Sequence, residues 1–125
     1  MRDVAYIEKD KGNPQVEIII GHAQFGKYQL LLWDKDGRNP EALGQGTNDD
    51  DVDDVFDLGD PASLHERCLS WEIIVASPGG GPGGLYSVIV LLRQEGKTVK
   101  GGMFQESGEL KGTKFVFSSW RLGVS

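Results

Sequence analysis

The sequence predicts an all-β protein, an antiparallel β-sandwich or partly open barrel of six to seven strands with one short helix. Three observations predict it. Segments of five to ten residues alternate apolar and polar side chains, as strands with one buried face do. The 18 glycines among 125 residues cluster where those segments end, which suits a fold of many tight reversals. Only one stretch, around Asp60-Pro61, carries a helix start signal. The length suits one domain, residues 1–125, interrupted by a long acidic connection at 44–60.

Residues 1–13 are polar apart from Val4, Tyr6 and Ile7 and read as a weak first strand or an extended arm. Lys9 to Pro14 is a turn. Gln15–Ile20 is a strong strand, with Val16, Ile18 and Ile20 on one face and Glu17 and Ile19 on the other. After a glycine-bracketed connection (Gly21 to Gly26), Lys27–Asp34 places Tyr28, Leu30 and Leu32 on one face and Gln29, Leu31 and Trp33 on the other. A hairpin between these two strands is the simplest arrangement. Asp34-Lys35-Asp36-Gly37 is a turn.

Arg38–Leu43 has no clean period, and the acidic connection follows. Asp60 as N-cap and Pro61 as first helical residue predict one or two helical turns through Leu64 and Glu66. Cys68–Ala76 is a strand with Leu69, Trp71, Ile73 and Val75 inward. Ser77–Gly84 is a loop leading to Leu85–Gln94, which is apolar on both faces and so belongs in the middle of a sheet or under a partner. Glu95-Gly96-Lys97 is a hairpin. Thr98–Gln105 is a weaker strand, with Gly101-Gly102 marking a bulge or bend. Turns are expected at 107–109 and 111–112. The last strand is Thr113–Leu122, where a bulge at Ser118-Ser119 would bring Phe115 and Phe117 into the core with Trp120 and Leu122.

The net charge of −6 is unevenly placed: residues 1–66 carry 6 basic and 15 acidic side chains, residues 67–125 carry 7 and 4. Attraction between the halves, or a sign-specific face, is expected. With no basic stripe, nucleic-acid binding is not expected. The single cysteine, Cys68, allows no internal disulfide. No apolar leader follows Met1 and no apolar run is long enough to span a bilayer, so a cytoplasmic chain without a membrane partner is expected.

The acidic connection holds seven aspartates, at 49, 50, 51, 53, 54, 57 and 60. Carboxylates on neighbouring loop residues suit Ca²⁺, which takes about six to eight oxygens. Asp49, Asp51, Asp53, Asp57 and Asp60 fall at relative positions 1, 3, 5, 9 and 12, but Asp54 stands where an EF-hand loop needs glycine and no helices flank the run. Asp34 and Asp36 would add ligands from a second loop. The metal candidates are therefore Asp34, Asp36, Asp49, Asp51, Asp53 and Asp57, against the reading of a solvated charge run. His65 and Cys68, three residues apart, are the remote seed of a nucleophilic site but lack a third orienting group. The glycine runs precede no helix and match no phosphate loop.

Among the tryptophans, Trp71 belongs to the core, whereas Trp33 shares its face with Leu31. The leading expectation is a non-enzymatic interaction module that binds a protein partner or itself. Leu31, Trp33, Ile89 and Leu91 are its candidate contact residues, because they sit on the second face of strands whose first face is already apolar. A Ca²⁺-binding sandwich is the alternative. No other cofactor is expected.

Overall fold

A computed structural model describes residues 3–21, 25–47, 54–76 and 82–125. Among these residues there are nine strands: β1 (Asp3–Ile7), β2 (Gln15–Gly21), β3 (Phe25–Trp33), β4 (Glu41–Thr47), β5 (Asp54–Asp57), β6 (Cys68–Ala76), β7 (Pro82–Gln94), β8 (Lys97–Lys111) and β9 (Thr113–Val124). They form two sheets, one ordered β1-β9-β6-β3-β4 and the other β5-β2-β7-β8. The sandwich class is as the sequence predicts, with more strands than the six or seven expected.

The core follows from the period-2 pattern. The inward residues of β6 (Leu69, Trp71, Ile73, Val75) and β7 (Tyr86, Val88, Val90, Leu92) are all buried, and the two sets face each other across the sandwich. Trp71 lies at the centre, its ring 4.6 Å from that of Trp120 and 5.2 Å from that of Phe104. β7 is apolar on both faces and is flanked by β2 and β8, so it is internal to its sheet as read.

Several expectations are corrected. β2 and β3 do not form a hairpin: β2 pairs with β5 and β7, while β3 lies in the other sheet between β4 and β6. Each strand finds a longer apolar partner than the other would offer. The order is not wholly antiparallel, because β1 runs parallel to β9, from Asp3 opposite Trp120 to Ile7 opposite Val124. Residues 107–109 are not a turn. They continue β8, with Ser107 opposite Ser87 and Glu109 opposite Leu85, since the long β7 supplies ladder partners that outweigh the local turn chemistry.

The predicted helix is a single 3-10 turn, Pro61–Leu64, with the Asp60 carboxylate accepting from the Ala62 amide at 3.1 Å. It stops before Glu66, whose φ is 64°. Parts of the acidic connection are strand rather than loop: 44–47 belong to β4 and 54–57 are β5. Gly44 and Gly46 lie on β4 where a Cβ would strike the rings of Phe56 and Tyr28, respectively. Those two rings meet edge to face with centroids 5.8 Å apart. Asp54, from the acidic run, accepts a hydrogen bond from the Tyr28 hydroxyl and so ties β5 to the opposite sheet.

Seams and clamps close the sandwich. Gly101, with φ 77°, lets β8 pass against β1, where a Cβ would strike the Val4 carbonyl. This is the irregularity expected there, and the β7–β8 register shifts between Leu91 and Arg93 nearby. Buried Gln94 holds the β1–β2 connection: its Oε1 accepts from the Glu8 amide at 2.9 Å, and its Nε2 donates to the carbonyls of Glu8 at 2.8 Å and Gly12 at 3.0 Å. Among the described residues two ion pairs join the acidic and basic halves of the chain, Arg93 with Glu17 at 3.0 Å and Arg67 with Glu41 at 3.5 Å.

Candidate functional site

β9 pairs with β6 in one unbroken register, Thr113 opposite Ala76 through Arg121 opposite Cys68. There is no bulge at Ser118-Ser119. Val116, Trp120 and Leu122 therefore point inward and are buried, while Phe115 and Phe117 point outward at 64% and 74% exposure. This corrects the expectation that all four reach the core: keeping the ladder intact costs less than an unpaired residue when Val116 already fills the interior.

Phe115 and Phe117 are part of a contiguous surface. Phe115 lies opposite Ile74, Ile74 opposite Lys27, and Phe117 opposite Glu72, which in turn is opposite Gln29. One row further, Phe25 stands opposite Ala76. Three shallow depressions share walls along this outer face of the five-stranded sheet. The first, of about 370 Å³, lies among Trp33, Ser70, Glu72 and Phe117. The second, of about 390 Å³, lies between Glu72, Ile74 and Phe115. The third, of about 530 Å³, lies among Phe25, Lys27, Thr47 and Ile74.

The other outer face differs. Val55, Leu85 and Met103 are exposed there, but Val55 sits on edge strand β5 and Met103 on edge strand β8. Between them, in the same row, stands Glu17, ion-paired with Arg93. Glu17 thus separates Val55 from Leu91 and Met103, which adjoin each other. The half-buried Ile19, Ile89 and Leu91 leave less apolar side chain exposed here than Phe25, Phe115 and Phe117 do on the five-stranded sheet.

The residues singled out from sequence fall as follows. Leu31 and Trp33 lie half-buried on the outer face of the five-stranded sheet, beside the first depression, and Ile89 and Leu91 lie half-buried on the opposite outer face. Trp33 is fixed in place: its indole N–H donates to Ser70 Oγ at 2.9 Å, and its carbonyl accepts from Arg67 Nε at 3.1 Å. Sequence reasoning missed Phe25, Ile74, Phe115 and Phe117. The available signal was the parity of Phe115 and Phe117, which is opposite to that of Trp120 and Leu122.

Asp49, Asp51 and Asp53 lie outside the described residues. Asp34 spends its carboxylate on its own turn, with Oδ1 accepting from the amides of Asp36 at 3.0 Å and Arg38 at 2.8 Å and Oδ2 accepting from the Asn39 amide group at 2.9 Å. The hydrogen bond from the Arg38 amide is the main cause holding this carboxyl below its ordinary range. Asp36 is in the same turn, and Asp57 accepts from the Gly59 amide at 2.7 Å. That turn precedes Glu41 and the chain leaves β4 at Thr47, so the two ends of β4 are roughly 20 Å apart at the usual strand rise. Among the described residues no three His, Cys, Asp or Glu side chains gather as a metal would require.

His65 and Cys68 do not form a pair on a helix, since the 3-10 turn ends at Leu64. His65 is exposed, with Nε2 3.7 Å from Glu66, whereas Cys68 is buried at the start of β6 between Trp33 and Arg121. No helix among the described residues is long and apolar enough to cross a membrane.

Fold and surface together define a two-sheet β-sandwich with an apolar outer face. No family model matches the chain, and no curated protein does. Two crystal structures are similar. One is a DUF4425 family protein from Bacteroides ovatus, with a TM-score of 0.53 at 15% identity over 87% of this chain and 94% of that one. The other is a domain of unknown function, DUF4425, from Bacteroides vulgatus, with a TM-score of 0.49 at 11% identity over 89% and 96% of the two chains. The first likeness is one of fold.

Proposed function

We propose that this chain is a non-enzymatic interaction module whose docking surface is the outer face of the five-stranded sheet. One observation carries the reading: Phe25, Ile74, Phe115 and Phe117 are exposed side by side on rigid strands, where the same positions in a solvated sheet would be polar. Taking a buried aromatic side chain at about 200 Å², the four leave on the order of 500 Å² of apolar surface in water. That is near the upper end of the largest patch on ordinary monomers, about 300–600 Å².

The arrangement favours a protein over a sugar or a base. Phenylalanine offers area without a hydrogen-bonding handle, and Trp33, which has one, already uses it on Ser70. Site-specific incorporation of a photoreactive phenylalanine analogue tests the reading. Placed at position 117, it should give covalent adducts with another polypeptide on illumination in cells, and placed at 103, on the other sheet, it should not. Equal yields at the two positions, or none at 117, would refute it.

A further inference from the structure

Resting on that docking face, we infer that its occupant is a second copy of this chain, packed sheet against sheet about a two-fold axis. Four features of the surface select this partner. The first is size. A standard interface buries about 800 Å² per partner, and the apolar share in homodimers is about 65%, so a dimer asks for about 520 Å² of apolar area. The face offers about the same amount, on the order of 500 Å².

The second is composition. Interfaces with separate, dissociating partners lean on Tyr, Trp and Arg, whereas permanent ones resemble a core cut in half. The exposed apolar side chains here are three phenylalanines and an isoleucine.

The third is charge. Lys27 and Glu72 stand on adjacent strands β3 and β6, level with Ile74 and Gln29 respectively, and neither is in an ion pair among the described residues. An in-plane two-fold axis passing between them lays Lys27 of one copy over Glu72 of the other, twice. A surface with one cation and one anion so placed is complementary to itself, as an isologous interface must be.

The fourth excludes edge pairing. On the side away from β6, residues 113–119 of β9 have no partner strand among the described residues, because β1 begins opposite Trp120. A free edge beside two phenylalanines invites strand addition. Lys114, however, takes the core-facing parity of Val116 on that edge, and an inward-facing charge is a usual device against such pairing. Face-on packing is the remaining way to cover the patch, with the two sheets about 10 Å apart.

Sedimentation of the full chain over about 5–100 μM, with a charge-swap series, tests this. The wild type should sediment at twice 13.7 kDa. F117E should dissociate it, weakening association about thirtyfold or more as loss of a central anchor does, while Met103→Glu on the opposite face leaves the dimer intact. K27E alone and E72K alone should each weaken association, and K27E/E72K together should restore it. Far-UV circular dichroism of each variant confirms that it is folded, and Phe115→Lys serves as a second probe if F117E is not. A wild type that stays at 13.7 kDa throughout, or a dimer indifferent to F117E, or charge swaps without rescue, would overturn the self-association. Adducts at position 117 with a different polypeptide would leave the docking face standing without it, whereas no adducts at 117 would remove both.

Discussion

β4 exists because two of its residues have no side chain, and substituting Gly44 measures how much that matters. An ideal Cβ at Gly44 would sit 2.5 Å from Phe56 Cδ1 and 3.1 Å from Cζ, with Cε1 closer still. Carbon atoms in contact prefer about 3.5–4.0 Å, so the ring must shift by an ångström or more. Phe56 is not free to do so, because it packs edge to face on Tyr28, whose hydroxyl is tied to Asp54. Overpacking of this kind costs about 1–3 kcal/mol. With an unfolding entropy of about 2.1 cal/mol/K per residue, G44A should lower the melting midpoint by about 4–12 °C. The assay is a thermal melt at one fixed protein concentration, since a self-associating chain melts higher when concentrated. In the background of Phe56→Ala the methyl has room, so the cost of G44A should nearly vanish and leave a coupling of similar size in the double-mutant cycle. Equal costs of G44A with and without the ring would refute the reasoning.

Other outcomes follow from the same geometry. Gln94→Ala removes three part-buried hydrogen bonds that fix the β1–β2 connection; urea denaturation should show a loss of about 2–3 kcal/mol. Asp34→Ala bears on acid stability. The native carboxyl titrates below the unfolded one, so its contribution is present above the unfolded pKa and disappears as the pH falls through the depressed folded value. Wild type and D34A should therefore differ at neutral pH and converge in acid melts, and a constant difference would contradict this. Tyr86 runs the other way. Burial and, after it, the Glu106 carboxylate accepting from its hydroxyl at 2.9 Å raise its pKa. Stability should then fall as the pH rises through about 10 and beyond, and Tyr86→Phe should blunt that fall.

How much was legible depended on whether side chains or their absence carried the signal. β6 reads directly, because Leu69, Trp71, Ile73 and Val75 alternate without a break and its bounds are those expected. β7 reads as internal because Ile89 and Leu91 make its second face apolar as well. β4 is silent: Gly44 and Gly46 leave it no period, and they are there to admit rings from β3 and β5 that are distant in sequence. β1 is weak for a related reason. It pairs with the far end of the chain, where Gly123 lies opposite Tyr6, and no local pattern announces a parallel partner.

The apolar outer face was misread for a different cause. A change of parity between Phe117 and Trp120 has two physical solutions, a bulge that buries all four residues or an unbroken strand that exposes two. Local pattern does not choose between them. The choice is made by β6, whose unbroken ladder from Cys68 to Ala76 leaves no place for an extra residue. Apolar residues kept on the exposed parity are then what marks the proposed docking face.

Radical footprinting of Phe115 and Phe117 tests the docking surface most directly, comparing each residue with itself in cells and in dilute purified chain. If the outer face of the five-stranded sheet is covered in use, both rings should be oxidised several-fold more slowly in cells, while Met103 and Leu85 on the opposite face keep their rates. Unchanged oxidation of Phe115 and Phe117, or equal protection of both faces, would contradict it.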